Sequence, residues 1–330
     1  MRKNDRFSIY KRKWKWYNIV VVCVSAKLCP FLSEKDGEQP STFRNSTKLE
    51  IYMYKIVRKR YLNPAQNTVE MTVEAPLVAK KCLAGQFIIF RIDEFGERIP
   101  LTIADYDRQN GTVTIMFQPI GRSTAQLAAL NEGDFIQDFA GPLGKPSETE
   151  GFRRVAVVGG GVGCAIAYPI AKAIHQTGAE VDMIAGFRNR DIVMLEDEMR
   201  ASCTNLYITT DDGSYGEKGF TTVKLKALID AGNDYDEVIA IGPAAMMKFI
   251  CEVTKPYGIK TVVSLNPIMI DGTGMCGGCR VTVGGKIRFA CVDGPEFDGH
   301  EVDWDELIKR NAFYKEEEHA CRMTGGPRHG

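Results

Sequence analysis

The residues with the clearest capacity for chemistry in this 330-residue chain form one glycine-rich run. Asp271-Gly272-Thr273-Gly274-Met275-Cys276-Gly277-Gly278-Cys279 is followed by Cys291. Plant-type iron–sulfur sites use C-x4-C-x2-C with a distant fourth cysteine. That spacing survives here with Asp271 in the first ligand position. Glycines suit such a loop, because amides that turn inward toward sulfide and thiolate need close approach and positive φ. Cys279 and Cys291 flank Val281-Thr282-Val283-Gly284-Gly285-Lys286-Ile287, an expected hairpin that returns Cys291 to the loop. Asp271, Cys276, Cys279 and Cys291 are therefore the candidate metal ligands. A structural zinc ribbon also accepts one Asp and three Cys by spacing alone. The density of glycine and the adjoining nucleotide-binding pattern favour a [2Fe-2S] cluster.

That pattern is Val158-Gly159-Gly160-Gly161-Val162-Gly163, directly after an apolar strand and opening a helix. Glycines there admit a pyrophosphate to the helix N-terminus, where orphan amides and the dipole favour anions. The match is imperfect. A third glycine is missing at the usual offset, and the second strand ends in Gly186-Phe187-Arg188-Asn189-Arg190 rather than an acid. Arg188 and Arg190 could hold an adenosine phosphate or be plain surface charges. Arg98-Ile99-Pro100-Leu101-Thr102 and Gly121-Arg122-Ser123-Thr124 combine backbone donors, hydroxyls and a cation. On residues alone both read as ordinary turns and caps, the second at a helix start suited to phosphate.

The elements that must position these residues fall into segments of different grammar. From 53 to 150, short alternating runs such as Val69–Ala75 and Thr112–Phe117 are separated by Gly and Asp turns. They predict a small antiparallel β-barrel with one clear helix over Ser123–Leu130. From 151 to 263, strands alternate with helices, the signature of an α/β doubly wound parallel sheet. A Gly- and Cys-rich segment over 264–315 and a charged, disordered tail over 316–330 complete the chain. The acidic stretch Asp293–Asp305, carrying Phe297, His300 and Trp304, is read as a partner-docking surface, with a capped helix start as the plainer alternative.

Lys+Arg 42 balances Asp+Glu 42, so no global nucleic-acid footprint exists. No run approaches the ~20 apolar residues of a membrane span. Residues 1–52 pair a basic head with a brief apolar run, Ile19–Ala26, which resembles a signal peptide. An unstructured leader, or translation begun upstream of Met53, agrees better with the cysteines. Most of the ten are scattered singly in apolar runs, the usage of a reducing compartment with one metal site.

Residues 53–315 resemble the flavin- and [2Fe-2S]-containing electron-transfer subunits of the ferredoxin–NADP reductase superfamily. The passages that carry the resemblance are Arg98–Asp105, Gly141-Pro142-Leu143-Gly144-Lys145, Asp211-Asp212-Gly213-Ser214-Tyr215-Gly216, Gly242-Pro243 and Asp271–Asp303. The group includes the dihydroorotate dehydrogenase B electron-transfer subunit, the sulfide dehydrogenase beta subunit and the small subunit of NADH-dependent reduced ferredoxin:NADP oxidoreductase. The resemblance implies an FAD barrel, an NAD(P) domain and a C-terminal cluster domain. Pro100, Leu101 and Thr102 would line the isoalloxazine, and Gly121, Ser123 and Thr124 the FAD pyrophosphate. Gly160, Gly161 and Gly163 would meet the dinucleotide. The resemblance adds Arg98, Thr210, Asp211, Asp212, Gly242, Pro243 and Met246 to the cofactor-binding set. Dihydroorotate dehydrogenase partners carry cysteine at position 271, whereas the ferredoxin:NADP oxidoreductase small subunit uses one Asp and three Cys. Ile99 departs from relatives that place a flavin-contacting Arg there, and Cys164 and Ile166 replace a common Val and Pro. By resemblance the chain takes FAD, a [2Fe-2S] cluster and NAD(H), with NADP(H) open. Its expected partner is a large flavin/[4Fe-4S] subunit in a cytoplasmic heterodimer, and no side chain is assigned as catalytic. A zinc-stabilised binding module without turnover is the alternative of another class.

Overall fold

The computed structural model describes residues 53–314 together with Glu316 and His319. The expected leader and nearly all of the expected tail lie outside the described residues, as do Cys23, Cys29 and Cys321.

The alternating runs of the first segment become β1 (Tyr54–Tyr61), β2 (Val69–Glu74), β3 (Phe87–Arg91), β4 (Ile99–Asp107), β5 (Thr112–Phe117), β6 (Phe135–Ile136) and β7 (Asp138–Leu143). All pair antiparallel in the order β6-β1-β2-β5-β4-β3-β7 and curl into a nearly closed barrel. Alternation decides which side chains turn inward: Val113, Ile115 and Phe117 of β5 join Met71, Phe90 and Phe139 in one buried core. A four-residue helix, α1 (Pro76–Ala79), follows β2, and α2 (Arg122–Ala129) seals one end with Leu127 fully buried.

The second segment runs β8 (Arg154–Gly160), α3 (Gly163–Gln176), β9 (Glu180–Phe187), α4 (Glu196–Arg200), β10 (Asn205–Thr210), β11 (Glu217–Lys218), α5 (Thr221–Asp230), β12 (Glu237–Ile241), α6 (Ala244–Thr254) and β13 (Lys260–Ser264). Its strands are apolar on both faces, because helices cover both. Val155 and Val157 pack toward Ile170 and Ile174 of α3, while Ala156 and Val158 pack with Leu225 of α5 and Met247 of α6. The parallel order is β11-β10-β9-β8-β12-β13. It reverses direction between β8 and β12, and that switch point is where such sheets open a ligand crevice.

The last segment adds the hairpin β14 (Arg280–Val283) and β15 (Lys286–Phe289), then α7 (Ala290–Asp293), β16 (Glu296–Asp298) and α8 (Trp304–Asn311). Gly284 and Gly285 turn the hairpin with φ of +57° and +70°, the left-handed pair that a two-residue hairpin loop requires. β16 pairs antiparallel with β13, so residues 296–298 extend the parallel sheet at its edge. Of the two readings of 293–305, a docking surface or a capped helix start, the capped helix start is formed. Trp304 is buried and its indole N–H donates to the Gly299 carbonyl at 3.0 Å, while His300 Nε2 meets the Thr254 hydroxyl at 3.0 Å. Asp303 caps α8 by accepting from the Glu306 amide at 2.9 Å. Trp304 is thus spent on packing, and Asp303, Asp305 and Glu306 form the acidic start of α8.

A fourth apolar cluster joins the segments. Phe87 and Ile89 of β3 pack against Met269, Cys279, Ala290 and Cys291. Among the described residues no helix is long and apolar enough to cross a membrane.

Candidate functional site

A cleft of 1410 Å³ lies between the barrel and the C-terminal edge of the parallel sheet. That exceeds the roughly 300–1,000 Å³ usual for a single small-ligand site, so it has room for more than one. Its barrel wall is Pro100, Leu101 and Thr102 of β4, Met116 and Phe117 of β5, and Thr124 near the start of α2. Its opposite wall is Gly160, Gly161 and Gly163 after β8, with Gly242, Pro243 and Met246 after β12. Asp211, at the end of β10, lines it too.

The glycines after β8 divide their work. A Cβ on Gly163 would stand 2.4 Å from the Ile241 carbonyl, so this residue serves the close helix–strand packing that the motif's third glycine usually provides. A Cβ on Gly160 would stand 2.4 Å from Met246 Sδ, which makes that glycine part of the cleft floor. Gly161 has φ +57° and open space before it. Its amide donates to the Gly186 carbonyl at 2.8 Å, which ties the turn to the end of β9.

Other expected cofactor residues stand back from the cleft. Ser123 is buried and donates its hydroxyl to Glu97. The Gly121 amide donates to Thr124 Oγ1 at 3.1 Å. Thr210 is buried and donates to the Tyr215 carbonyl at 2.6 Å, and Asp212 accepts from the Ser214 amide and hydroxyl at 2.9 and 2.6 Å. Short polar side chains at turns satisfy nearby groups before they reach outward. Arg98 is also outside the lining: its Nε donates to the Ile270 carbonyl at 2.8 Å and its Nη2 to the Asp271 carbonyl at 3.4 Å. Of the two arginines after β9, Arg188 lines the cleft, whereas Arg190 lies 5.6 Å from the Tyr215 ring centre.

Sequence reasoning missed Phe220 and Phe249, which line the cleft although each is more than half exposed. It also missed Ser264-Leu265-Asn266-Pro267 at the exit of β13. A usable signal existed for that stretch, since residues just past the carboxyl end of a parallel strand face the crevice. None existed for the phenylalanines, Phe220 just before α5 and Phe249 within α6.

The cysteine loop sits behind β3. Cys279 and Cys291 are buried with their sulfurs 3.2 Å apart, and the Cys291 amide points at Cys279 Sγ at 3.5 Å. Two thiolates on one tetrahedral metal at about 2.3 Å stand about 3.8 Å apart, so this pair is set for a shared metal atom. Burial, then the neighbouring Cys279 thiol, pushes Cys291 up to about 12, so a metal must displace its proton. Cys276 is exposed on the same loop. Asp271 Oδ2 accepts from the Thr273 hydroxyl at 2.6 Å and from the Thr273 and Met275 amides at 2.9 and 3.1 Å. Partial burial raises its pKa, but these bonds and the Arg98 charge outweigh it and hold the carboxyl below its usual value. Gly272, Gly274 and Gly277 have φ of +84°, +84° and +68°, as an inward-turned loop requires. Among the described residues no group of three or more His, Cys, Asp or Glu side chains converges as for one metal ion. Zinc needs four ligands about one point, whereas a [2Fe-2S] cluster takes them as pairs on two irons. One pair formed and two further donors on an adjacent glycine loop fit the cluster better than zinc. The remaining thiols of the described residues, Cys82, Cys164, Cys203 and Cys251, are buried, free and raised to about 11 or 12 by burial, inert fillers of the core.

An antiparallel barrel and a parallel sheet that share one large cleft, with a cysteine loop against the barrel, define a pyridine-nucleotide-linked flavin and iron–sulfur electron-transfer protein. Comparison with known proteins agrees. The model of the iron–sulfur cluster binding domain of dihydroorotate dehydrogenase B matches residues 266–303. The chain is 46% identical over 254 residues to the dihydroorotate dehydrogenase B (NAD(+)) electron transfer subunit homolog of Thermotoga maritima, covering 77% of this chain and 89% of that one. It is 56% identical over 279 residues to a Clostridium beijerinckii protein encoded in the adh 3' region, covering 82% and 94%. A solved structure of NADH-dependent reduced ferredoxin-NADP oxidoreductase superposes with a TM-score of 0.78 at 44% identity, over 82% of this chain and 97% of that one. The chain belongs to the dihydroorotate dehydrogenase B electron-transfer subunit family.

Proposed function

We propose that the chain is an electron-transfer subunit that takes electrons from or gives them to NAD(H) at the shared cleft and exchanges them with a partner through an iron–sulfur cluster. One observation carries this reading. The apolar cluster of Phe87, Ile89, Met269, Cys279, Ala290 and Cys291 seats the thiol pair directly behind β3. β3 in turn pairs with the cleft-lining residues of β4, Ile88 opposite Leu101 and Ile89 opposite Pro100. One strand thus separates the two redox positions, which is the adjacency electron transfer needs.

Pro100, Leu101 and Thr102 would hold the isoalloxazine of FAD, with Thr124 and the first turn of α2 toward its phosphates. Gly160, Gly161, Gly242 and Pro243 would shape the floor for NAD(H), and Arg188 and Asp211 would flank its adenosine end. Asp271, Cys276, Cys279 and Cys291 would hold the [2Fe-2S] cluster. When bound, these groups supply the exchange between two-electron hydride chemistry and one-electron transfer. The protein's share is to place the reacting edges together, exclude water with the apolar wall of Leu101, Met116 and Phe117, and set the charge around the cluster. No side-chain acid or base is required. Residues 53–150, 151–263 and 264–315 would then be the FAD, NAD and cluster parts of one working unit.

Met275, Ile270 and Ile287 are 86%, 53% and 64% exposed around the cysteine loop. Together with Arg280, Lys286 and Arg288 of the hairpin, which make no ion pair among the described residues, they suit a face covered by a partner. We assign that partner as a large flavin/[4Fe-4S] subunit and the setting as cytoplasm. A second reading, the electron-transfer subunit of a dihydroorotate dehydrogenase B, draws on the family-model match; Asp271 in place of cysteine argues against it. The test is metal, sulfide and flavin analysis of anaerobically purified protein with its copurifying chain. About two irons, about two sulfides and one FAD per chain are expected. Zinc without flavin would overturn the reading, and a dihydroorotate-oxidising partner would move it to the second.

A further inference from the structure

Arg98, expected among the cofactor-binding residues, stands outside the cleft lining. It sits one residue before β4, the strand whose Pro100, Leu101 and Thr102 line the cleft. Its side chain turns the other way and reaches 172 residues along the chain, to the two carbonyls that lead into the ligand loop. A guanidinium suits this task, since its planar fork presents several donors in fixed geometry and stays charged at any relevant pH. Among the described residues Arg98 makes no ion pair, and its donors go to backbone carbonyls. That places the charge at the entry to the ligand loop, with Nε 2.8 Å from the Ile270 carbonyl. The same loop is pressed on the barrel nearby, where a Cβ on Gly272 would stand 2.7 Å from Ile89 and 2.8 Å from Leu143. Backbone contact at Gly272 fixes how close the loop lies, and the Arg98 fork fixes how it is oriented.

We propose that Arg98 is a positioning residue that ties the flavin-lining strand to the Asp271 loop and raises the reduction potential of the cluster held there. The inference rests on the proposed cluster and deepens it. A reduced cluster carries one more negative charge than an oxidised one, so a cation held beside the ligand loop favours reduction. The fork also holds the entry of the loop that carries both Asp271 and Cys276.

The test compares wild type, Arg98→Gln and Arg98→Lys as purified holoproteins, by EPR-monitored redox titration and by iron, sulfide and FAD content. Arg98→Gln should lower the one-electron reduction equilibrium about three- to tenfold, which is about 28–59 mV. Arg98→Lys keeps the charge and loses the fork, so its potential should return toward wild type while its cluster signal broadens. Loss of cluster with FAD retained in both variants also supports positioning by the fork. Variants that hold the cluster at the wild-type potential with an unchanged signal overturn the inference and leave the cluster intact as a proposal. Variants that lose FAD and cluster together reduce Arg98 to a folding role and overturn it too. Wild-type protein with no iron or sulfide overturns the functional reading and this inference with it.

Discussion

Glu296 offers a pH-dependent test of how the cysteine-bearing segment is fastened to the rest of the molecule. Its carboxyl lies on β16 and accepts from the Ser147 hydroxyl, on the connection leaving the barrel, at 2.6 Å. The neighbouring Pro295 lines the cleft, and its carbonyl accepts from the Leu265 amide at 2.9 Å. Burial, opposed by the Ser147 bond and reinforced by Glu237 and Glu148, pushes Glu296 up to about 7 from its ordinary 4.5. That difference is worth about 3 kcal/mol at 1.36 kcal/mol for each pH unit. Because the folded value is the higher one, the unfolded chain releases this proton first as pH rises. Stability from the neutral acid is complete below pH 4.5, declines up to about pH 7 and is flat above. Glu296→Gln keeps an acceptor for Ser147 and removes the titration. Urea denaturation of holoprotein at fixed cofactor concentration should therefore show the variant gaining on wild type by about 2–3 kcal/mol between pH 5 and 8. Glu237, also raised chiefly by burial, is present in both proteins. Stability curves that stay parallel across that range would refute the reasoning.

Other substitutions address the site directly. Asp271→Cys should move the cluster's spectrum and potential, because it replaces a hard oxygen donor by a thiolate; no change in either removes Asp271 from the ligand set. Gly163→Ala drives a methyl to within 2.4 Å of the Ile241 carbonyl and should cost about 1–3 kcal/mol. It should also raise KM for NADH while leaving the flavin spectrum unchanged, and an unaltered KM would detach that turn from dinucleotide binding.

Much of this architecture is legible in the sequence because it depends on local pattern. Period-two runs such as Thr112–Phe117 became barrel strands, and Gly284-Gly285 became the expected hairpin turn with both glycines at positive φ. The expected helix over Ser123–Leu130 is Arg122–Ala129 in the structure. The two-residue strand β6 and the joining of β16 to the parallel sheet were not legible, since pairing at a sheet edge is set by distant partners. The candidate site divides the same way. Glycine turns and cysteine spacing are local signals, whereas the direction of a long side chain is not. Arg98 sits in a cleft-lining sequence yet serves the far side of the strand, and Ser123 and Thr210 spend their hydroxyls on neighbours that spacing does not reveal.

Anaerobic titration of the purified protein with NADH, followed by visible absorption and EPR, tests the central claim most directly. Flavin bleaching accompanied by the signal of a reduced [2Fe-2S] cluster is the predicted result. Bleaching with a cluster that stays oxidised in the presence of excess NADH, or no spectral response at all, would contradict an electron path from the cleft through β3 to Cys279 and Cys291.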